Sequence, residues 1–275
     1  MRDISVIELD EYSKDLDVYG FCKIPNALGS ELVSDLKEKV EKYSLKIQNP
    51  DSFGLRNRDA TDQMVYNLQA KDSKFIDILV FDPIKEILMN KLNDKYYRFL
   101  DESKPNYILN YYNARSSGAA LPLHIDSHIP STGDLTWAMQ VSFLLEDMDE
   151  KNGCTILVPG SHKSGKFSDR ELTNVTKMIA KAGDIIIWDS RTWHGTVANS
   201  SGLSRWALIA TFSCWWMKQT MDMTKSLPNE IYQKLSDEKK LLLGFCSIPP
   251  TDESERIITK QSYDDLLDNV DDYHK

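Results

Sequence analysis

Between Asn106 and Ser213 the hydrophobic pattern settles into a period of two, and that change limits the chain to few architectures. Tyr107 to Tyr112, Pro122 to His128, Trp137 to Leu145, Thr155 to Val158, Asp184 to Trp188, His194 to Val197 and Arg205 to Ser213 all read as strands. Turn signals separate most of them: Gly133-Asp134, Asn152-Gly153, Pro159-Gly160, Gly183-Asp184 and Ser201-Gly202. Asn152-Gly153 between apolar runs marks a hairpin. Short strands at this spacing predict a sandwich or jelly roll.

The flanks read differently. Tyr19-Gly-Phe-Cys-Lys-Ile-Pro25 predicts a short strand, followed by a helix from Gly29-Ser30 to about Lys46 with Leu32, Leu36, Val40 and Tyr43 on one face. Gly54 to Asp62 is polar and reads as a loop, and Asp82-Pro83 opens a second helix carrying Ile84, Ile87, Leu88 and Leu92. Beyond Met217 helices start at Leu227-Pro-Asn-Glu and at Ser236-Asp-Glu, the latter ending at Gly244, and Tyr263 to Lys275 is an acidic, frayed end. Without an internal repeat or flexible linker, residues 1–275 read as one domain. It is helical over about 1–100, a β core over about 105–215, and helical over about 216–275.

Charge narrows the function. A net charge of −9 argues against a nucleic-acid binder, whose footprint is basic, and against an anionic membrane surface. No stretch reaches the ~18 apolar residues of a membrane span, and the acids within Met1 to Asp10 interrupt the apolar run of a secretory signal. Cys22, Cys154, Cys214 and Cys246 show no Cys-x-x-Cys spacing, which predicts reduced, mostly buried thiols in a cytoplasmic protein. The expected partner is a small-molecule substrate, with no nucleic acid and no membrane.

Leu123-His-Ile-Asp-Ser-His-Ile129 then carries the chemistry. As a strand it sends His124, Asp126 and His128 to one face. A His and a carboxylate two apart, joined by a distant His, form the two-His-one-carboxylate set that holds Fe(II) and leaves three positions open. Residues two apart on a strand can share an ion, whereas residues four apart are separated by about 13 Å. Either His124 or His128 therefore partners Asp126, and register does not choose; Pro130 favours His124 by ending the strand. His194, in Ser190-Arg-Thr-Trp-His-Gly-Thr196, supplies the distant histidine, with Thr196 on its face and Gly195 permitting close backbone approach. Arg205 opens an otherwise apolar run, and an inward arginine demands an anion. The far carboxylate of 2-oxoglutarate would meet that demand with a bidentate fork, its keto-acid end chelating the iron and O2 taking the last position.

These residues resemble the phytanoyl-CoA dioxygenase family of Fe(II)- and 2-oxoglutarate-dependent oxygenases. The matching segments are Leu123-His-Ile-Asp126, Gln140-Val-Ser-Phe-Leu-Leu145, Asn152 to His162, Ala182-Gly-Asp-Ile-Ile-Ile187, and Trp193-His-Gly-Thr196 followed by Arg205. Tyr19 to Pro25 and Leu243-Gly-Phe245 extend the likeness over nearly the whole chain. The resemblance implies a mainly β fold with flanking helices, a double-stranded β-helix (jelly-roll, cupin-like) core. It places His124, Asp126 and His194 on Fe(II) and Arg205 on 2-oxoglutarate, with Thr196 as a small hydroxyl residue and Tyr107 lining the cosubstrate. Ser142 stands where many relatives carry Trp.

The expected activity is a dioxygenase that hydroxylates or otherwise oxidises a C–H bond of a small molecule, releasing succinate and CO2. The alternatives are a cupin-like metal enzyme that does not use 2-oxoglutarate, and a non-catalytic ligand-binding protein on the same fold. Arg115, His128, Gln140, Arg191 and Trp193 are candidate substrate contacts, whereas His162 reads as a structural residue of a turn. The acid pairs Glu146-Asp147 and Asp149-Glu150 read as a solvated hairpin end.

Overall fold

A computed structural model of the chain describes residues 1–44, 62–96, 103–116, 118–127, 129–167 and 173–248. Most of the loop expected over Gly54 to Asp62, the acidic end from Tyr263, and His128 lie outside these residues. The chain divides into two compact units, Met1–Asn67 with Tyr112–Ala210, and Leu68–Tyr111 with Thr211–Lys275.

The first unit begins with helix α1 (Val6–Tyr19), which the sequence reading did not single out. Its signal is a capping box: the Ser5 side chain accepts from the Glu8 N–H while Glu8 reaches back to the Ser5 N–H. Gly20 ends it in the left-handed conformation (φ 83°) that side chains avoid. Strand β1 (Phe21–Ile24) and helix α2 (Ser30–Ser44) follow, close to their expected bounds. Val33, Leu36 and Val40 form the buried stripe of α2.

The strands are β2 (Gln63–Tyr66), β3 (Ile108–Ser116), β4 (Leu121–His124), β5 (Ala138–Leu144), β6 (Thr155–Leu157), β7 (Thr176–Lys177), β8 (Ile185–Asp189), β9 (His194–Thr196) and β10 (Ala207–Ser213). They build a six-stranded sheet in the order β1-β8-β5-β10-β3-β2 and a four-stranded sheet in the order β4-β9-β6-β7. The recorded pairings are antiparallel, and the sheets do not close on themselves. This is the double-stranded β-helix that the family resemblance implies, in keeping with the jelly roll expected from the strand spacing. Between the sheets lie Leu144, Ile186, Trp188 and Ala207 from the larger and Leu157 from the smaller, with Met148, Cys154, Met178 and Ala180. Period-two registry aims them there: Gln140 pairs with Trp188 and Ser142 with Ile186, so these four share one face.

Two expected strands end differently. The strand through His128 stops at His124, and Asp126 and Ser127 stand in a bend. Both their N–H groups donate to the Ser190 carbonyl, at 3.0 and 2.9 Å, which turns the chain off the sheet. Arg205 and Trp206 likewise precede β10 rather than open it.

The second unit holds α3 (Ser73–Asp77) and α4 (Asp82–Leu92), then α5 (Met223–Ser226), α6 (Asn229–Tyr232) and α7 (Asp237–Leu242). Gly244, at φ 92°, lies just beyond α7, as expected. No helix among the described residues is long and apolar enough to cross a membrane. All four cysteines are free, three of them buried.

Among the described glycines of the first unit, Gly195 leaves the least room for a side chain. A Cβ there would lie 2.4 Å from the Leu121 carbonyl oxygen and 3.2 Å from Pro122. Gly195→Ala should therefore push β4 from β9, destabilise the protein by about 1–3 kcal/mol and weaken metal binding. Gly29→Ala, with open space around its Cβ, should change stability by less than about 0.5 kcal/mol. Denaturant unfolding with metal titration of both variants checks this; a neutral Gly195→Ala would contradict it.

Candidate metal and cosubstrate site

β4 and β9 bring the candidate metal-binding side chains together. His124 pairs directly with His194 across the two strands, and a register shift lets Leu121 pair with Thr196. The imidazole centroids are 4.3 Å apart. Asp126 enters from the bend after β4, with Oδ1 3.4 Å from His124 Nε2 and Oδ2 3.3 Å from His194 Nε2. The three donor atoms lie within 4.8 Å of one another, so one ion could be shared among them. This is the only such group of three among the described residues.

Both rings are oriented in the same way. His124 Nδ1 lies 2.9 Å from the Pro122 carbonyl, and His194 Nδ1 lies 2.9 Å from the Thr192 carbonyl. A carbonyl only accepts, so each Nδ1 carries the proton and each Nε2 is left to bind an ion. Trp188 packs against the His194 ring in a tilted arrangement, with centroids 5.3 Å apart, and restricts it further. The electrostatics fit a cation. Burial would raise the Asp126 carboxyl, but the two histidines outweigh it and hold the group well below the carboxylate range. The Asp126 hydrogen bond raises His124 from its ordinary value, so a proton competes with an ion there as the pH falls.

Arg205 is 4% exposed. The only acceptor its side chain meets among the described residues is the Met148 sulfur, 3.6 Å from Nη1, and its Nε has no partner. Burial pulls its pKa down to about 10, so it remains charged near neutrality. Glu146 raises the Arg205 pKa only through space, its carboxylate hydrogen-bonded instead to Lys37, Ser204 and the Trp206 N–H. A buried guanidinium with a thioether for company is an anion site in waiting. Thr196 lies two residues from His194 on β9; its Oγ accepts from the Leu121 N–H, leaving its own O–H to donate. Tyr107 belongs to the second unit, buried edge-on against Phe212 at 5.8 Å, and burial raises its phenol.

The remaining candidates separate. Arg191 is no substrate contact: it is buried against Asp189, with Nη2–Oδ2 at 2.7 Å and Nε–Oδ1 at 3.0 Å. Its Nη1 also donates to the Ser131 and Gly133 carbonyls, and Thr136 donates to Asp189. This network pins the segment between Asp126 and β5 against the end of β8. Sequence reading missed it, although an Asp-x-Arg after a fully apolar strand was its visible trace. Gln140 is buried opposite Trp188, and Trp193 is buried with its N–H on Ser161 Oγ. His162 is buried, as a structural residue should be, and burial lowers its pKa. Asp147 and Glu150 form the exposed ion pairs of a solvated hairpin end, while Glu146 is a half-buried anchor.

Solved structures share this fold. SnoN, an epimerase of nogalamycin biosynthesis solved with Fe3+, alpha-ketoglutarate and nogalamycin RO, is 16% identical with a TM-score of 0.61, covering 82% of this chain and 92% of its own. HygX from Streptomyces hygroscopicus, solved with nickel and 2-oxoglutarate, is 15% identical with a TM-score of 0.60, covering 79% and 90%. The fold class is that of double-stranded β-helix oxygenases. In sequence, the chain is 25% identical over 257 residues to the dioxygenase af480 of Aspergillus fumigatus, covering 90% of this chain and 80% of that protein. The phytanoyl-CoA dioxygenase (PhyH) family model matches residues 16–207, and the chain belongs to that family. It is an Fe(II)- and 2-oxoglutarate-dependent dioxygenase, with Fe(II), 2-oxoglutarate and O2 as its cofactors.

Breaking the buried Asp189–Arg191 pair tests the loop network. Arg191→Met should cost about 3–5 kcal/mol and weaken metal binding. Replacing both partners, as Asp189→Leu with Arg191→Met, should restore much of the stability but not the metal affinity. Denaturation with anaerobic metal titration reads both; full metal affinity in the double variant would show that the network does not position Asp126.

Proposed function

We propose that His124, Asp126 and His194 hold Fe(II), and that Arg205, with Thr196, receives the far carboxylate of 2-oxoglutarate. The enzyme then hydroxylates, or otherwise oxidises, a C–H bond of a small-molecule substrate, with succinate and CO2 as coproducts. The observation that carries this reading is a pair of unmet demands in one unit. Two Nε2 atoms and a carboxylate converge within 4.8 Å of one another, as one ion requires, and the Nε of a buried guanidinium has no hydrogen-bond partner among the described residues.

When bound, iron and 2-oxoglutarate supply the oxidising chemistry, one atom of O2 ending in succinate and the other on the oxidised carbon. The chain's own residues prepare for it. The Pro122 and Thr192 carbonyls hold both imidazoles in one tautomer, and the bend at Asp126 brings its carboxylate between them. Arg205 offers a planar fork whose desolvation makes a carboxylate partner strongly preferred. A metal enzyme without 2-oxoglutarate, or a binding protein, leaves Arg205 unexplained. Succinate and CO2 formation under oxygen with added Fe(II), screened against metabolite fractions, separates these from the proposed activity.

Removing the guanidinium in Arg205→Ala should raise the apparent KM for 2-oxoglutarate roughly thirtyfold or more, reflecting on the order of 2–4 kcal/mol for one charged partner. Arg205→Lys should recover only part, because the fork is lost; an unchanged KM in the alanine variant would remove the cosubstrate assignment. Asp126→Ala should lose both tight anaerobic Fe(II) binding and coupled turnover. Retention of both would place the carboxylate outside the ligand set.

A further inference from the structure

The turn from Asp189 to Trp193 serves two of the three candidate metal ligands at once. The Ser190 carbonyl accepts the Asp126 and Ser127 N–H groups at 3.0 and 2.9 Å. Two residues on, the Thr192 carbonyl lies 2.9 Å from His194 Nδ1 and orients that ring. Whatever holds this turn therefore sets how a carboxylate and an imidazole face the same ion.

The sheets do not hold it alone. β8 belongs to the six-stranded sheet and β9 to the four-stranded one, so the turn crosses between them and its middle lies outside both ladders. The Ser190 N–H makes one more ladder bond, to the Ala138 carbonyl, and the Thr192 N–H folds back on the Asp189 carbonyl.

The remaining tie comes from a residue 172 positions earlier in the chain. Gly20, the cap that ends α1, accepts the Asp189 N–H and the Thr192 O–H on one carbonyl oxygen, each at 2.9 Å. A carbonyl has two lone pairs, and here both are used. Thr192 is fully buried. The end of α1 is tied a second time nearby: the Gly160 N–H donates to the Tyr19 carbonyl at 2.8 Å, and the next residue, Ser161, accepts the Trp193 N–H on Oγ at 2.9 Å. The approach leaves no space for a side chain. A Cβ on Gly20 would lie 2.5 Å from both Thr192 Oγ1 and His162 Nδ1, and its φ of 83° favours glycine in any case. Leu16 is the single buried residue of α1, so this cap carries much of the helix's attachment.

We propose that the end of α1 belongs to the metal site. The Gly20 carbonyl clamps the turn, and Thr192 is a positioning residue that passes the clamp to His194 through its own carbonyl. Docking of α1 thereby sets metal affinity. This rests on the assignment of His124, Asp126 and His194 as ligands.

Anaerobic Fe(II) titration of the full chain tests it, with the visible d–d bands of the Co(II)-substituted protein reporting ligand geometry. Thr192→Val keeps the side chain's shape and deletes its O–H. It should lower Fe(II) affinity roughly tenfold or more, the usual cost of losing a group that orients a ligand, and change the Co(II) bands. Thr192→Ser restores the donor and should recover most of that loss. Leu16→Ala loosens α1 without touching the turn and should move both readouts in the same direction, which keeps the test open if Thr192→Val does not fold. Val40→Ala, a cavity on α2 instead, should move neither. Wild-type affinity with unchanged Co(II) bands in folded Thr192→Val or Leu16→Ala would overturn the inference. So would a loss in Thr192→Ser or Val40→Ala equal to that in Thr192→Val. Failure of wild type to bind Fe(II) would strike the ligand assignment itself, and this inference with it.

Discussion

Any side chain at position 195 would occupy space already filled by the main chain of β4. That contact sets the distance between the two strands, and with it the distance between His124 and His194. Four residues of β4 and three of β9 suffice, because each histidine is also pinned through Nδ1 to a carbonyl two residues upstream. The third donor needs no strand. The Ser190 carbonyl captures two successive N–H groups and swings Asp126 back toward the imidazoles. The geometry of the proposed metal site is thus written mostly in the backbone, and side-chain networks such as Asp189–Arg191 hold neighbouring backbone in place.

The same core carries an electrostatic tension. Burying an arginine without a carboxylate is costly, and Arg205 is buried beside little more than a sulfur atom. A fold selected for stability alone would have paired or removed it. Its persistence is what the proposed cosubstrate site explains. An acidic protein that keeps an open cation inside is arranged to draw small anions inward.

Much of this was legible in the sequence, for physical reasons that differ by element. Short apolar runs bounded by turn residues located β5, β8 and β10 to within a residue or two, because strands covered on both faces need apolar residues throughout. Histidines, a carboxylate and a lone arginine in apolar company stood out because buried polar groups need partners. The strand through Asp126 was misread, since a bend held by a distant carbonyl leaves no local trace in Leu123-His-Ile-Asp126. The two-residue β7 is too short to show a period, and α1 was signalled only by its Ser5-x-x-Glu8 cap. Arg191 illustrates the remaining gap: composition marks an arginine as needing an anion, but only the fold shows that Asp189 already supplies it.

The central claim is that one ion and one dicarboxylate occupy this unit together. Anaerobic titration of Fe(II) into the protein with 2-oxoglutarate, followed by visible absorption, tests it most directly. The account predicts that the band of the iron–2-oxoglutarate chelate grows and saturates at equimolar iron. Iron that binds at equimolar stoichiometry without producing the band would contradict it.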